Sequence, residues 1–260
     1  MPVLPGAEPY RHEGGEVGLL LCHGFTGSPQ SLRPWAEHHA AHGLTVSLPL
    51  LPGHGTRWED LQVTGWQDWY AEVDRELRLL AGRCSRVFVG GLSMGAALAL
   101  RLAAKHGDEV AGVVAVNPVN RVHGLSAHAL PVARHAVRTT RGVTGDIAKE
   151  GVTELGYDRV PLHAAHSLRG FLRRLDGELP QVTQPLLLLR GAHDHVVPAA
   201  DAARVLSRVS SRDVTEIVLE QSRHVAATLD YDADRIFEES LAFIGRLAPM
   251  TGKEGTAAVG

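Results

Sequence analysis

Short apolar runs alternate with longer amphipathic stretches along most of the chain. The apolar runs are continuous, rich in Val, Leu and Ile, and bounded by Gly, Pro or polar residues, which predicts strands buried on both faces. The predicted strands are 17–22, 44–50, 86–90, 110–116, 185–190 and 214–220. Helical spacing of apolar residues predicts helices over about 28–43, 66–81, from residue 94 onward, 199–209 and 232–247. This order predicts an α/β protein with a mostly parallel, doubly wound sheet.

The alternation is interrupted between residues 117 and 185. Connections within α/β units are normally only a few residues long, so a gap of this size predicts an inserted segment. Its apolar residues lie among Arg, His and Gly, a composition that favours short amphipathic helices. We expect a core of residues 1–117 and 185–250, an insertion over 118–184, and a flexible tail over 251–260.

Composition excludes several classes of protein. The chain is 44% hydrophobic and 21% charged, with a formal net charge of −3, so nothing favours nucleic acid or an anionic membrane surface as a partner. No apolar stretch approaches the roughly 18 residues of a membrane span, and no secretory signal is visible. Cys22 and Cys84 end apolar runs, which is typical of buried, reduced thiols. We expect a cytoplasmic protein without a stable membrane anchor.

One serine lies at a predicted strand-to-helix joint. The sequence Gly91-Leu92-Ser93-Met94-Gly95 follows a buried strand and precedes an apolar helix. A Gly-x-Ser-x-Gly turn in this position is the nucleophile elbow, in which the glycines permit a sharp turn and the helix terminus favours negative charge. Ser93 is therefore the candidate nucleophile.

A serine hydroxyl needs a base to take its proton and an acid to orient that base. In this architecture the expected chain order is Ser, then Asp or Glu, then His. Asp194 follows strand 185–190, and His224 follows the last strand. Because parallel strands end at the same edge of a sheet, both side chains are expected near Ser93.

Other residues near these positions are weaker candidates. Glu220 ends a strand and is an alternative acid, while His193 and His195 flank Asp194 and are expected to face solvent or support the site. Asp201 and Asp230 fit helix starts, where acidic residues are common as caps.

Two backbone amides are needed to bind the oxyanion of an acyl-transfer reaction. Met94, the residue after the nucleophile, is expected to supply one amide. Phe25, in the loop "HGFTGSP" after the first predicted strand, is expected to supply the other.

The fifteen histidines raise the question of a metal. His38 and His42 have the spacing of a helical metal pair, but no third ligand or His-Glu-x-x-His motif accompanies them. Dinucleotide and P-loop motifs are also missing from the sequence. We expect neither a metal nor a cofactor.

These motifs resemble those of α/β-hydrolase-fold carboxylesterases, and among them bacterial monoacylglycerol lipases. The matching stretches are "GAEPY", "HGFTGSPQSLRPWAE", "LPGHGT", "VGGLSMGAAL", "DHVVP" and "RHVAATLDYD". They span residues 6–245, with the insertion matched more loosely. The resemblance implies the same triad, Ser93, Asp194 and His224, and the same oxyanion donors, Phe25 and Met94.

The resemblance also implies a role for the insertion, as a cap over an acyl tunnel. It assigns Glu154, in "VTELGYDRVP", to contact with the glycerol head group, and it aligns Val143 with an apolar cap position near the substrate. The cap departs from the relatives by carrying Arg121, Arg134, Arg138 and Arg141.

The predicted protein is a serine hydrolase that cleaves monoacylglycerols with medium to long acyl chains through an acyl-enzyme. A general carboxylesterase acting on shorter acyl esters is the nearest alternative. A non-catalytic ligand-binding member of the fold, and acyl transfer to an acceptor other than water, are further alternatives.

Overall fold

A seven-stranded sheet forms the centre of the molecule. The computed structural model describes residues 2–123, 126–142, 145–224 and 228–249, so the predicted tail lies outside the described residues. The main sheet contains β1 (Tyr10–His12), β2 (Val17–Cys22), β3 (Thr45–Leu48), β4 (Arg86–Leu92), β5 (Gly112–Val116), β8 (Leu186–Gly191) and β9 (Val214–Leu219). The strand order is β1-β3-β2-β4-β5-β8-β9. All neighbouring pairs are parallel except β1 and β3, which confirms the predicted sheet type.

Helices cover both faces of this sheet. The described helices are α1 (Arg33–Ala41), α2 (Trp58–Gln62), α3 (Trp66–Ala81), α4 (Met94–His106), α5 (Ser126–Ala136), α6 (Leu162–Glu178), α7 (Ala199–Arg208) and α8 (Ala233–Leu247). Of these, α5 packs against α6 in a separate small cluster. The sheet separates two hydrophobic cores, and alternate residues of β5 pack into one or the other. Val113 lies in the core with α3, α4, α6 and α7, and Val114 lies in the core with α1 and α8. Burial on both faces explains why the strands are continuous apolar runs.

The inserted segment differs from the predicted series of short helices. It contains α5, a two-stranded antiparallel sheet of β6 (Thr139–Arg141) and β7 (Arg159–Pro161), and then the 17-residue helix α6. Phe171, Leu172 and Leu175 of α6 are buried in the same core as α4. Helix α6, which lies within the predicted cap of residues 118–184, therefore buries its apolar face in the core.

Several short elements were not predicted from the sequence, and β1 and α2 are the ones outside the inserted segment. Strand β1 has three residues and pairs antiparallel with β3, while helix α2 has five residues. Elements of this length carry less than two full periods of a hydrophobic pattern, so periodicity cannot reveal them. Within the described ranges, no helix has both the length and the apolar character needed to cross a bilayer.

The carboxyl ends of the strands gather the residues of interest at one edge of the sheet. Three non-glycine residues with positive φ follow the strands there: Thr26 (64°) after β2, Ser93 (58°) after β4 and Asn117 (45°) after β5. Such backbone conformations cost about 1–3 kcal/mol each and concentrate at functional sites. This edge is therefore the place to look for chemistry.

The β4–α4 turn depends on close contact between main chains. A Cβ at position 95 would lie 1.8 Å from the carbonyl oxygen of Cys22, and a Cβ at position 91 would lie 2.5 Å from the same atom. The backbone of β2 cannot retreat, because β2 is hydrogen-bonded to strands on both sides. Only glycine fits at these two positions.

We expect Gly95→Ala to lower the free energy of unfolding by more than about 3 kcal/mol, since relief of the overlap requires backbone displacement. Denaturant unfolding followed by circular dichroism measures this effect. Gly170→Ala is the control, because this exposed residue of α6 has no atom within 4 Å of the new methyl group. The control should gain roughly 0.5–1 kcal/mol from helix propensity. Equal effects at the two sites would contradict the role given to Gly95.

Candidate active site

Ser93 lies at the tight turn between β4 and α4. Its backbone angles, φ 58° and ψ −115°, are strained for a non-glycine residue. The Ser93 N–H donates to the carbonyl of Val116 at 2.9 Å, which ties the turn to the end of β5. The strained turn and its contacts hold the hydroxyl at the sheet edge, at the amino terminus of α4.

The structure brings Ser93, His224 and Asp194 together. His224 Nε2 lies 3.0 Å from Ser93 Oγ, and His224 Nδ1 lies 2.5 Å from Asp194 Oδ2. The imidazole therefore bridges the hydroxyl and the carboxylate. The side chains of His224 and Asp194 are 4% and 6% exposed, so water competes little for these contacts. The arrangement can transfer a proton from the serine to the imidazole.

The second oxygen of Asp194 is also held. Asp194 Oδ1 accepts the backbone N–H of Val196 at 2.8 Å and of Val197 at 2.7 Å. Two amide donors fix the orientation of the carboxylate plane. Asp194 can consequently present Oδ2 to His224 in one orientation.

The competing candidates lie elsewhere. Glu220 and His193 are exposed, and His195 is 65% exposed with its ring directed to Asp146. Asp201 and Asp230, expected as helix caps, are buried, and their carboxylates accept hydrogen bonds from the backbone of other segments. Asp201 accepts the N–H groups of residues 120 and 121, while Asp230 accepts those of residues 148, 149, 223 and 231.

The two expected oxyanion donors lie beside Ser93. Met94 is the first residue of α4, where backbone N–H groups have no partner within the helix. The loop after β2 approaches from the other side, since a Cβ at position 24 would lie 3.7 Å from the Cβ of Ser93. Phe25, Ser93 and Met94 line one cavity. Their positions are compatible with an oxyanion site.

His23 supports the loop that carries Phe25, a contribution that sequence analysis missed. The ring is fully buried: Nδ1 donates to the Gly24 carbonyl at 2.9 Å, and Nε2 accepts the N–H of Leu51 at 3.1 Å. Burial lowers the pKa of His23 to about 4, despite the hydrogen bond to Gly24. The ring is therefore neutral at physiological pH, and its two hydrogen bonds hold the loop in place.

A cavity of about 330 Å³ opens onto Ser93. Its wall is largely apolar, with Val and Leu side chains from both the core and the inserted segment, which suits an aliphatic chain. Besides Ser93, His224 and the candidate oxyanion residues, the described lining includes Val119, Val122, Val160, Leu168, Val196, Val197, Arg121, His123 and Glu154.

Glu154 brings a carboxyl group into this cavity. Its Oε1 lies against the loop after β2, 3.0 Å from the position that a Cβ on Gly27 would occupy. Burial raises the pKa of Glu154 to about 7, although the N–H of Gly145 donates to the carboxyl group and acts in the opposite direction. Val143, the other cap residue singled out from the sequence, lies outside the described residues.

Hydrogen bonds join the segment around Glu154 to the loop after β2. Ser28 Oγ donates to the Leu155 carbonyl at 2.9 Å, the N–H of Leu155 donates to Gln30 Oε1 at 3.0 Å, and the N–H of Tyr157 donates to the Thr26 carbonyl at 2.9 Å. These bonds set the distance between Glu154 and the candidate oxyanion site.

Asn117 is a further residue that sequence analysis missed. Its Nδ2 donates to the His224 carbonyl at 3.0 Å, and its Oδ1 accepts the N–H of Gly191 at 2.7 Å. The buried amide thus joins the end of β8 to the loop of His224. A signal was available, because Asn tolerates positive φ and here ends a strand before a proline.

No group of three metal-ligating side chains occurs among the residues that the structure describes. His38 and His42 pack ring against ring, with centroids 4.5 Å apart, and His42 Nδ1 bonds the His38 carbonyl. The pair therefore takes part in helix packing.

Comparison with known proteins agrees with this geometry. The family model described as "Hydrolase_4: Serine aminopeptidase, S33" matches residues 17–228. A thermostable monoacylglycerol lipase of Bacillus sp. (strain H-257) is 39% identical over 247 residues, covering 95% of this chain and 98% of the lipase. A carboxylesterase of Bacillus subtilis (strain 168) is 25% identical over 244 residues, covering 92% and 97% of the two chains.

A solved structure from work on LipS and LipT, two metagenome-derived lipolytic enzymes, has a TM-score of 0.91 and 39% identity. The match covers 94% of this chain and all of the other. Fold and site together define an α/β-hydrolase, which confirms the predicted fold class. The chain belongs to the Hydrolase_4 (serine aminopeptidase, S33) family of these enzymes.

Replacement of Asp194 by Asn should separate the two candidate acids. We expect Asp194→Asn to lower kcat on an activated ester by on the order of 10⁴-fold, because the amide favours the wrong imidazole tautomer. Glu220→Gln alters the exposed alternative acid and should retain activity. Steady-state hydrolysis of a p-nitrophenyl ester provides the measurement. An active Asp194→Asn variant beside an inactive Glu220→Gln variant would reverse the assignment.

Proposed function

We propose that this protein hydrolyses monoacylglycerols to fatty acid and glycerol, with Ser93, His224 and Asp194 as its catalytic triad. The observation that carries the proposal is the imidazole of His224 bridging Ser93 and Asp194 at the mouth of an apolar cavity that also contains Glu154. The similarity to a monoacylglycerol lipase over nearly the whole chain supports the choice of substrate.

The first half of the reaction acylates Ser93. His224 Nε2 takes the hydroxyl proton as Oγ attacks the ester carbonyl, and Asp194 stabilises the imidazolium that forms. The amides of Phe25 and Met94 donate to the oxyanion of the tetrahedral intermediate. Collapse of this intermediate breaks the bond to the glycerol oxygen, which receives its proton from His224. Glycerol leaves, and the acyl group remains on Ser93.

The second half repeats these steps with water. His224 removes a proton from a water molecule, which attacks the acyl carbonyl while the same amides hold the oxyanion. Collapse releases the fatty acid and returns the proton to Ser93 Oγ. Each proton that His224 accepts is given up in a later step, so the reaction balances without a metal or cofactor.

Glu154 is the proposed recognition group for glycerol. An ionised carboxylate accepts hydrogen bonds at both oxygens, so it can bind two neighbouring hydroxyls. The hydrogen bonds between its segment and the loop after β2 support a position for this acceptor beside the carbonyl end of the substrate, with the acyl chain against the Val and Leu side chains. Val143 is proposed, from the resemblance alone, as an additional contact.

Two neighbouring activities are less well supported. A general carboxylesterase needs no partner for a polyol, so Glu154 would have no function in it. An aminopeptidase must bind a free ammonium group, and Glu154 is the one carboxylate outside the triad in the described cavity lining. Arg121 lies in the same lining, and its positive charge would repel an ammonium group.

We also propose a cytoplasmic location. The support is the state of the cysteines, since Cys22 and Cys84 are both free and buried. Such thiols are typical of proteins in a reducing compartment.

Glu154→Gln tests the choice of substrate. The amide keeps the shape but loses one acceptor, so kcat/KM for a monoacylglycerol should fall about tenfold, while kcat/KM for the methyl ester of the same acid stays within twofold. Glu150→Gln, at an exposed site in the same segment, should change neither value. A uniform response of the two substrates to Glu154→Gln favours the general carboxylesterase.

The raised pKa of Glu154 also predicts a pH dependence. Below about pH 7 the carboxyl group is protonated and accepts fewer hydrogen bonds, so the preference for glycerol esters should decline. The quantity to measure is the ratio of kcat/KM for the monoacylglycerol to that for the methyl ester, which divides out ionisations common to both reactions. This ratio should rise through pH 7 and level off above it. In Glu154→Gln a flat ratio is expected, and a slope equal to that of the wild type would refute the assignment.

A further inference from the structure

The backbone of His224 is held from the inserted segment as well as from the core. Asp146 Oδ2 accepts the N–H of His224 at 3.2 Å, while Asn117 Nδ2 donates to its carbonyl at 3.0 Å. The ring is held by Asp194 and Ser93 at the distances given above. Asp146 therefore contributes one of the contacts that define where the imidazole lies.

Asp146 also contacts the loop that carries Asp194. Its Oδ1 lies 3.1 Å from His195 Nδ1, and its Oδ2 accepts the N–H of His195 at 3.4 Å. His195 is the residue next to Asp194 in the chain. One carboxylate thus binds both the loop of Asp194 and the loop of His224, and the side chains of these two residues lie 2.5 Å apart.

The environment of Asp146 favours this role. Its side chain is only 9% exposed, so the contacts are shielded from water. Burial acts to raise its pKa, but hydrogen bonds from the His195 ring and from the amides of His224 and His195 outweigh it and lower the pKa. A charged acceptor makes each of these bonds stronger than a neutral one.

Neighbouring contacts fix the main chain on which Asp146 lies. The N–H of Gly145 donates to Glu154, and Asp230 accepts the N–H groups of Ala148 and Lys149 at 2.9 and 3.0 Å. Asp230 also accepts the N–H of Arg223, the residue before His224, at 3.0 Å. The 145–149 segment is thereby joined to the glycerol-recognition group on one side and to the histidine loop on the other.

We propose that Asp146 is a positioning residue, which holds the loops of Asp194 and His224 in register and makes assembly of the triad depend on the inserted segment. The proposal deepens the proposed function, because it assumes that this triad performs the reaction. Asp146 touches neither substrate nor the reacting atoms in this role. Its removal should consequently impair every reaction of Ser93, whatever the leaving group.

The test compares Asp146→Ala, which loses both acceptors, with Asp146→Asn, which keeps one. Because hydrogen bonds to a charged group are strong, kcat of Asp146→Ala should fall roughly 10- to 100-fold. The kcat of Asp146→Asn should lie between that of Asp146→Ala and that of the wild type. KM should change less than twofold. The losses should be equal for a monoacylglycerol and for p-nitrophenyl butyrate, and the rate of Ser93 inactivation by a fluorophosphonate should fall by the same factor.

Asp158→Asn is the matched control, because it neutralises an exposed carboxylate in the same inserted segment. It should leave kcat, KM and the inactivation rate unchanged. Thermal unfolding of each variant identifies loss of folded protein, and if Asp146→Ala does not fold, Asp146→Asn alone carries the test.

Two results would overturn the proposal. One is a folded Asp146→Asn variant with wild-type kcat and inactivation rate. The other is a loss restricted to the glycerol ester, which would place Asp146 in substrate recognition. If the wild type did not hydrolyse monoacylglycerols, the proposed function would fail, but the p-nitrophenyl ester and fluorophosphonate measurements would still decide the role of Asp146.

Discussion

The close approach of the β4–α4 turn to the end of β2 is the constraint on which the site depends. Gly91 and Gly95 lie against the main chain of Cys22, and their missing side chains allow the turn to close. The closed turn holds Ser93 in a strained conformation at the amino terminus of α4. Since His224 approaches from the end of β9 and the Phe25 loop from the end of β2, a displacement of this turn would move the hydroxyl away from both.

The inserted segment does more than cover a cavity. One part is hydrogen-bonded to the loop after β2 and carries Glu154, and another part is bound to the His224 loop through Asp146 and Asp230. The same segment therefore meets both sides of Ser93. In the proposed function, these contacts give a connection between two strands a part in positioning His224 and in contacting the substrate.

His23 and the side chain of Asp194 are buried at this edge and have directional hydrogen-bond partners. His23 remains neutral because burial lowers its pKa, while Asp194 is bound by two amides and an imidazole. Buried polar atoms with several fixed partners have few alternative orientations, which limits rearrangement of the site before substrate binds. Such preorganisation is what stabilisation of an oxyanion requires.

Much of the fold and the core of the site could be predicted from the sequence. Strand and helix order follow from hydrophobic periodicity, which is local, and the elbow motif with the chain order of Asp194 and His224 indicates which side chains meet. The three-residue strand β1 and the place of α6 in the core could not be predicted in this way. The first is too short to show a period, and the second depends on which apolar surface lies opposite.

The sequence by itself determined the architecture, and it indicated that Ser93, Asp194 and His224 would meet at one edge of the sheet. Each of these inferences depends on a pattern within a few residues or on the rule that parallel strands end together. Only the tertiary structure decided the support around them. The raised pKa of Glu154 depends on burial, and the contacts of Asn117 and Asp146 join residues between 49 and 107 positions apart. Desolvation and hydrogen-bond geometry arise from the packed arrangement of distant segments, which no local pattern encodes.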